Sequence, residues 1–108
     1  VPLEVEVTKG PPMTPTFRPY GFEEDVSLPS VNVLAKSYEG TLYVITVSSH
    51  ERPVTARISG LPAGVEQLEV LFEERPAEKA GNMVAVTDGA FDDEYPWLTV
   101  HLYKAPMP

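Results

Sequence analysis

Short stretches of alternating apolar and polar residues run along most of the chain. Residues 3–8, 54–59 and 98–103 each place an apolar side chain at every second position. A period of two predicts a β-strand with one buried side and one solvent-facing side. Helical spacing is nearly absent, because each longer window with apolar residues three or four apart contains a proline or a glycine. The pattern therefore predicts an all-β chain.

Further strands come from the more continuous apolar stretches. Residues 31–38 and 42–49 flank Glu39-Gly40, and this pair predicts a hairpin because glycine accommodates a positive φ. The two other predicted strands are residues 65–72 and 83–87. The segment after them, which begins with Asp88-Gly89, is predicted as a turn and a loop.

The number and spacing of the strands indicate the fold. Seven or eight short strands that begin about ten residues apart are typical of an antiparallel β-sandwich, immunoglobulin-like or jelly-roll-like. A length of 108 residues suits one domain with its own core, covering residues 1–108. Because the sequence begins at Val1 without a charged and apolar leader, we expect a segment excised from a larger chain that carries any signal peptide elsewhere.

One long segment, residues 10–29, lies outside the strand pattern. It holds five of the 12 prolines, with phenylalanine and tyrosine residues between them. Connections of this length are usually functional or disordered, and the aromatic residues favour order. We expect the segment to pack against the sandwich, with residues 26–28 at a sheet edge.

Composition excludes several classes of partner. The formal net charge is −8, from 16 acidic and 8 basic residues, and no basic stripe is visible. Nucleic acids and anionic membranes both attract Lys and Arg clusters, so we expect neither as a partner. No stretch approaches the ~20 apolar residues of a membrane-spanning helix. The absence of cysteine excludes a thiol nucleophile, a disulfide framework and a cysteine-based zinc site.

The last two-thirds of the sequence contain the pairs Phe91-Asp92 and Tyr95-Pro96 and end in the stretch His101-Leu102-Tyr103. With these features, this part of the chain resembles the C-terminal β-sandwich domain that follows the catalytic barrel in many glycoside hydrolases. In such domains a turn, a Phe-Asp pair and an aromatic-Pro pair lead into a final strand with a His-x-Tyr-like motif. The corresponding residues here are Phe91-Asp92, Tyr95-Pro96 and the stretch 101–103. The likeness also covers residues 40–47, 53–58 and 70–73. The chain departs from the family at Ser48-Ser49, where asparagine is frequent, and in its proline-rich segment.

This resemblance implies a function that involves no catalysis. Domains of the family are non-catalytic: they support the barrel, and some are thought to contact polysaccharide. The resemblance therefore implies an extracellular, secreted protein with two candidate partners, a polysaccharide and the catalytic domain of the parent enzyme.

The residues themselves offer little for catalysis. His50 and His101, the two histidines, have no partner at a metal-ligand spacing. The sequence places His50 in a solvated turn and His101 half-buried on the last strand. A glycosidase carboxylate pair needs a deep cleft, for which a sandwich of this size has little room. We therefore expect no enzyme activity, no catalytic residues and no cofactor.

Two runs of acidic residues are candidates for binding a structural calcium ion. Asp88, Asp92, Asp93 and Glu94 are predicted to share one loop, and residues 23–25 form a second run. Calcium takes about six to eight oxygen ligands from such loops. However, the Asp-x-Asp-x-Asp-Gly spacing of an EF-hand is missing. Solvated acids are the favoured interpretation, and a structural calcium is the alternative.

The aromatic side chains support a binding hypothesis. Sugar rings stack their C–H faces on flat aromatic rings, and Trp97 and Tyr95 lie together at a predicted loop–strand junction. Tyr20, Phe17 and Phe22 lie in the proline-rich segment, where they are further candidates for carbohydrate binding. In the alternative interpretation Trp97 caps the core, and the other three fasten the segment to a sheet.

Two functions of different class follow from these features. The first is a non-catalytic carbohydrate-binding module that holds a secreted glycoside hydrolase on a neutral polysaccharide, with a β-glycan favoured. The second is a purely structural domain that packs on the catalytic barrel through an apolar patch and binds no sugar. An immunoglobulin-like repeat of a surface protein is disfavoured, because no internal repeat is visible.

Overall fold

The computed structural model describes residues 3–16, 18, 20, 21, 23–50, 52–71, 82–96 and 98–107. Within these residues the chain forms eight β-strands and no helix. The strands are β1 (Glu4–Lys9), β2 (Val31–Tyr38), β3 (Thr41–Ser48), β4 (Val54–Ser59), β5 (Gln67–Leu71), β6 (Met83–Ala85), β7 (Ala90–Tyr95) and β8 (Val100–Pro106). The predicted all-β class is confirmed.

The strands form two antiparallel sheets that pack together. One sheet has three strands in the order β1-β4-β7, and the other has five in the order β2-β3-β8-β5-β6. Buried apolar side chains from both sheets and from the connection between β4 and β5 fill the space between the sheets. They are Val31, Leu42, Val44, Val54, Ala56, Ile58, Leu61, Val65, Leu68, Val70, Phe91, Tyr95, Tyr103 and Ala105. The predicted antiparallel β-sandwich is therefore confirmed.

Most predicted strands lie within three residues of their observed ends. The β2–β3 hairpin turns at Glu39 and Gly40, whose φ angles of 48° and 78° match the left-handed pair that a tight hairpin turn requires. The strand predicted from residue 65 begins at Gln67, because the amide of Val65 donates to the carbonyl of Pro62 at 3.3 Å and forms a turn.

Strand β7 is the element that the sequence prediction missed. Its three consecutive acidic residues indicated a solvated loop, but β7 pairs with β4 along its whole length. Phe91 and Tyr95 point into the core while Asp92 and Glu94 point to solvent. An edge strand with one solvated face is polar at alternate positions, and the inward-facing Asp93 hid that alternation.

The proline-rich segment folds back on itself. The amide of Thr14 donates to the carbonyl of Leu28 at 2.8 Å, and the amide of Ser30 donates to the carbonyl of Pro12 at 2.9 Å. The hydroxyl of Ser27 donates to the carbonyl of Thr14 at 2.5 Å. Leu28 thus pairs with the opposite arm of this hairpin, and its predicted position at a sheet edge is wrong.

Candidate functional site

Two of the five predicted sugar-binding residues lie within the described part of the chain, Tyr20 and Tyr95. Phe17, Phe22 and Trp97 lie outside the described residues. Tyr95 is 0% exposed, because its position on β7 points between the sheets. Its ring therefore has no free face for a sugar, and the prediction of Tyr95 as a binding residue is wrong.

Tyr20 lies at the turn of the proline-rich hairpin. Its exposure of 105% leaves both ring faces open to solvent. Gly21 follows it with a φ of 86°, a conformation that suits a tight turn. Below the turn, the guanidinium of Arg18 donates to the carboxylate of Asp25 at 3.1 Å. Within the described part of this hairpin, the ring of Tyr20 is thus presented at the tip.

A connected set of polar side chains lies in the core. The Tyr95 hydroxyl donates to Oγ1 of Thr46 at 2.6 Å and lies 3.2 Å from the Tyr103 hydroxyl. The Tyr103 hydroxyl in turn donates to the carboxylate of Asp93. Tyr95 and Asp93 belong to the three-stranded sheet, whereas Thr46 and Tyr103 belong to the five-stranded sheet. These hydrogen bonds therefore join the two sheets through the core.

Burial determines the charge state of this set. Desolvation, reinforced by the charges of Tyr95 and Asp93, raises the pKa of Tyr103 well above its usual value. Tyr103 is therefore a neutral donor to Asp93. His101, also buried, places Nε2 2.9 Å from the carbonyl of Glu94 and 3.7 Å from the Asp93 carboxylate. Because the set lies between the sheets, its hydrogen bonds hold the two sheets together.

The second histidine is also part of the packing. His50 is buried, so its predicted position in a solvated turn is wrong. Its Nδ1 accepts from the amide of Arg52 at 2.9 Å, and its carbonyl accepts from the amide of Leu98 at 3.2 Å. These bonds close the turn after β3 and attach it to the chain just before β8.

The acidic residues after Gly89 do not form the predicted loop cluster. Strand alternation sends Asp92 outward, where the Arg57 guanidinium donates to it at 3.0 Å, and sends Asp93 inward to Tyr103. Among the described residues, no group of three or more His, Cys, Asp or Glu side chains is arranged to hold a metal ion.

The outer face of the three-stranded sheet is charged. Side chains on this face alternate with the core residues of β1, β4 and β7, and several pair across strands in the observed register. The charged and exposed members are Glu4, Glu6, Arg57, Asp92 and Glu94. This face therefore interacts with water and is acidic overall.

The outer face of the five-stranded sheet has the opposite character. In the observed register Leu34, Ile45, Leu102 and Leu71 form one row across four strands. Leu34 is 65% exposed and Val100, in the adjacent row, is 62% exposed. We call the outward-facing set the apolar face; it consists of Leu34, Tyr43, Ile45, Val47, Leu71, Val100 and Leu102. The largest apolar patch on a typical monomer covers about 300–600 Å² and is often functional.

Charged residues border the apolar face on one side. In the next row across the strands, the charged residues Lys36, Lys104 and Glu69 lie beside Tyr43 of the apolar face. Lys104 and Glu69 form an ion pair at 3.4 Å, and both side chains are partly exposed. This border therefore carries charges of both signs.

A groove opens beside this charged row. Strands β5 and β8 pair only as far as Glu69 and Lys104, although β8 continues to Pro106. Where the two strands separate, the space is about 470 Å³ in volume. It is lined by Thr41, Gly64, Val65, Glu66, Gln67, Glu69, Met83, Lys104, Ala105 and Pro106. Tyr38, 61% exposed, lies on the opposite edge of the same sheet.

An apolar patch was one of the expectations from the sequence, but its residues were not predicted, although the sequence held a signal for them. Residues 42–47 are almost continuously apolar, so both sides of β3 are apolar. A strand of this type is expected to be covered on both sides. In the structure one side faces the core, and the other lies on the apolar face.

Comparison with known proteins identifies no relative of this chain. No protein-family model matches the sequence, and no significant match appears among the curated proteins or the solved structures. The described part of the chain contains no helix long and apolar enough to cross a membrane.

Proposed function

We propose that the chain is a non-catalytic accessory domain that packs through the apolar face against the catalytic barrel of a larger, secreted glycoside hydrolase and stabilises it. The observation that carries this proposal is the contrast between the two outer faces of the sandwich. One is charged and suited to water, and the other exposes apolar rows at Leu34, Ile45 and Val100. An apolar sheet face of this extent is the surface on which a second protein layer packs.

A partner on the same polypeptide suits a single sheet face of a small domain. Stable interfaces between separate proteins bury about 800 Å² of total surface on each side. Two domains that are covalently linked need less area, because the linker holds them at a high effective concentration. The resemblance to accessory domains of glycoside hydrolases names the catalytic barrel as that partner.

The test is a substitution of Leu34→Lys, made both in this chain alone and in the whole parent enzyme. Leu34 is exposed in the isolated domain, so we expect its free energy of unfolding to change by less than about 0.5 kcal/mol. In the parent enzyme the lysine would be buried at the interface without a partner, which destabilises by about 2 kcal/mol or more. We therefore expect the thermal unfolding midpoint of the parent to fall by several degrees.

The matched control is Glu4→Lys, which also adds positive charge but on the outer face of the other sheet. It should leave the parent enzyme unchanged. Equal stability of the parent with and without Leu34→Lys would contradict the docking proposal.

A second function is favoured by one observation, the open ring of Tyr20 at the tip of the hairpin. We propose that the ring of Tyr20 contacts a neutral polysaccharide, with a β-glycan favoured. The expected result is that soluble glucan, xylan or mannan retards the isolated domain in affinity electrophoresis. Tyr20→Ala should abolish this retardation while circular dichroism shows an intact fold. Trp97→Ala, run in parallel, tests the other candidate ring. Migration unaffected by every polymer would contradict polysaccharide binding.

A further inference from the structure

We propose that, where no other domain covers it, the apolar face packs against the same face of a second copy of this chain. The two copies are related by a two-fold axis that runs parallel to the strands and lies between β3 and β8. This inference uses the same face as the proposed function, but it does not depend on the identity of the larger partner. It follows from the register of the sheet.

The apolar rows are complementary under this symmetry. The axis exchanges β3 with β8 and β2 with β5, because the sheet order is β2-β3-β8-β5. Within the central row, Ile45 then faces Leu102 of the second copy, and Leu34 faces Leu71 of the second copy. In the adjacent row Val47 faces Val100. Sheets packed face to face lie about 10 Å apart, so these side chains meet and interdigitate.

The charged border matches under the same symmetry. Lys36 on β2 faces Glu69 of the second copy on β5, which brings opposite charges together. Tyr43 faces Lys104 of the second copy, an arrangement that suits a cation–π contact. A two-fold axis perpendicular to the strands would instead place Lys36 opposite Asn32 and Lys104 opposite Val100. The charges therefore select the axis parallel to the strands.

The groove provides a third element of the match. Tyr38 lies in the last row of β2, two residues beyond Lys36. The axis places Tyr38 opposite Gln67 of the second copy, where the 470 Å³ groove opens between β5 and β8. An exposed tyrosine that enters a pocket is a common binding hot spot. Because the interface is symmetric, this contact occurs twice.

The dimer should be weak, since the contact on each copy is limited to one sheet face of a small domain. We expect a dissociation constant on the order of 10 μM. Sedimentation velocity over a concentration series that spans this value should show a reversible monomer–dimer equilibrium. Purely monomeric protein at concentrations well above the expected constant would overturn the proposal.

Two substitutions test the predicted contacts. Tyr38→Ala removes the ring that enters the groove, and Lys36→Glu places two like charges opposite each other. Each should raise the dissociation constant by roughly tenfold or more. Glu4→Lys, on the outer face of the other sheet, should leave it unchanged. A dimer that Glu4→Lys weakens, or that Tyr38→Ala and Lys36→Glu leave intact, would use a different surface and would contradict this interface.

Cross-linking tests the axis itself, because the chain contains no cysteine. We expect a short bis-maleimide to link Leu34→Cys protein to Leu71→Cys protein when the two are mixed, and to link neither protein to itself. An axis perpendicular to the strands would bring the two copies of residue 34 together. Self-linking of Leu34→Cys, or no linking in the mixture, would therefore overturn the proposed symmetry.

The dimer proposal and the docking proposal are tested by separate experiments, so either one can be contradicted while the other is retained. The dimer is measured on this chain alone, whereas docking is measured as the stability of the parent enzyme with Leu34→Lys. A monomeric isolated domain together with a destabilised parent would exclude the dimer and retain the docking function.

Discussion

Replacing Tyr103 with alanine is expected to lower the free energy of unfolding of the domain by about 4 kcal/mol. The side chain is fully buried, and its ring packs edge-on against Phe91 with the ring centroids 4.9 Å apart. Its removal would leave a cavity and would take away one of the hydrogen bonds that the partly buried carboxylate of Asp93 accepts. Chemical denaturation followed by fluorescence or circular dichroism measures the effect.

The control Tyr103→Phe separates the ring from the hydroxyl. It keeps the packing and removes the hydrogen bond to Asp93, so it should lower the free energy of unfolding by about 1–3 kcal/mol. Adding Asp93→Asn to Tyr103→Phe should cost less than the sum of the two single changes, because both act on one contact. A loss below about 2 kcal/mol for Tyr103→Ala would show that the core collapses around the site and that the polar set contributes little.

Local signals in the sequence were sufficient for most of the fold. The β2–β3 hairpin was predicted because alternation fixes which residues are buried and Gly40 accommodates the turn. The same reasoning failed at β7. An inward-facing carboxylate such as Asp93 makes an edge strand look like a loop, and two of its partners, Tyr103 and His101, come from a different sheet. The sequence alone does not show that pairing.

The candidate site was harder to predict than the fold, because exposure depends on tertiary structure. Tyr95 looked like a binding residue from its neighbours in sequence, but its position in β7 turns it into the core. The apolar face forms when β2, β3, β8 and β5 align Leu34, Ile45, Leu102 and Leu71 in one row. Leu34 and Leu102 lie almost 70 positions apart in the sequence, and only the strand register brings the four residues together.

The sandwich thus divides its interactions between three regions. Its centre holds apolar side chains and a hydrogen-bonded set anchored by Tyr95 and Tyr103. One outer face carries the charges that interact with water, and the other carries the apolar rows. The proposed docking and the proposed dimer both follow from this asymmetry, since covering the apolar face removes hydrophobic surface from water and leaves the acidic face exposed.

Raising the pH above about 10 is expected to destabilise the domain through Tyr103. Because burial raises the pKa of Tyr103 in the folded state, the folded protein keeps this proton when the unfolded chain releases it. Below pH 10 both states are protonated and the stabilising contribution is complete. Above pH 10 the unfolded state binds fewer protons, so the free energy of unfolding falls by about 1.4 kcal/mol for each pH unit. Urea unfolding at a series of pH values between 8 and about 12 measures this slope.

The same series with Tyr103→Phe identifies the group responsible. This variant has no proton to release at position 103, so its stability should fall less steeply above pH 10 than that of the unaltered chain. The free energies of unfolding of the two proteins should therefore differ by less at about pH 12 than at about pH 8. Parallel slopes for both proteins would assign the alkaline transition to other groups. Such a result would contradict the prediction that Tyr103 causes the loss of stability at high pH. That prediction requires the folded state to hold the hydroxyl proton of Tyr103 more tightly than the unfolded state does.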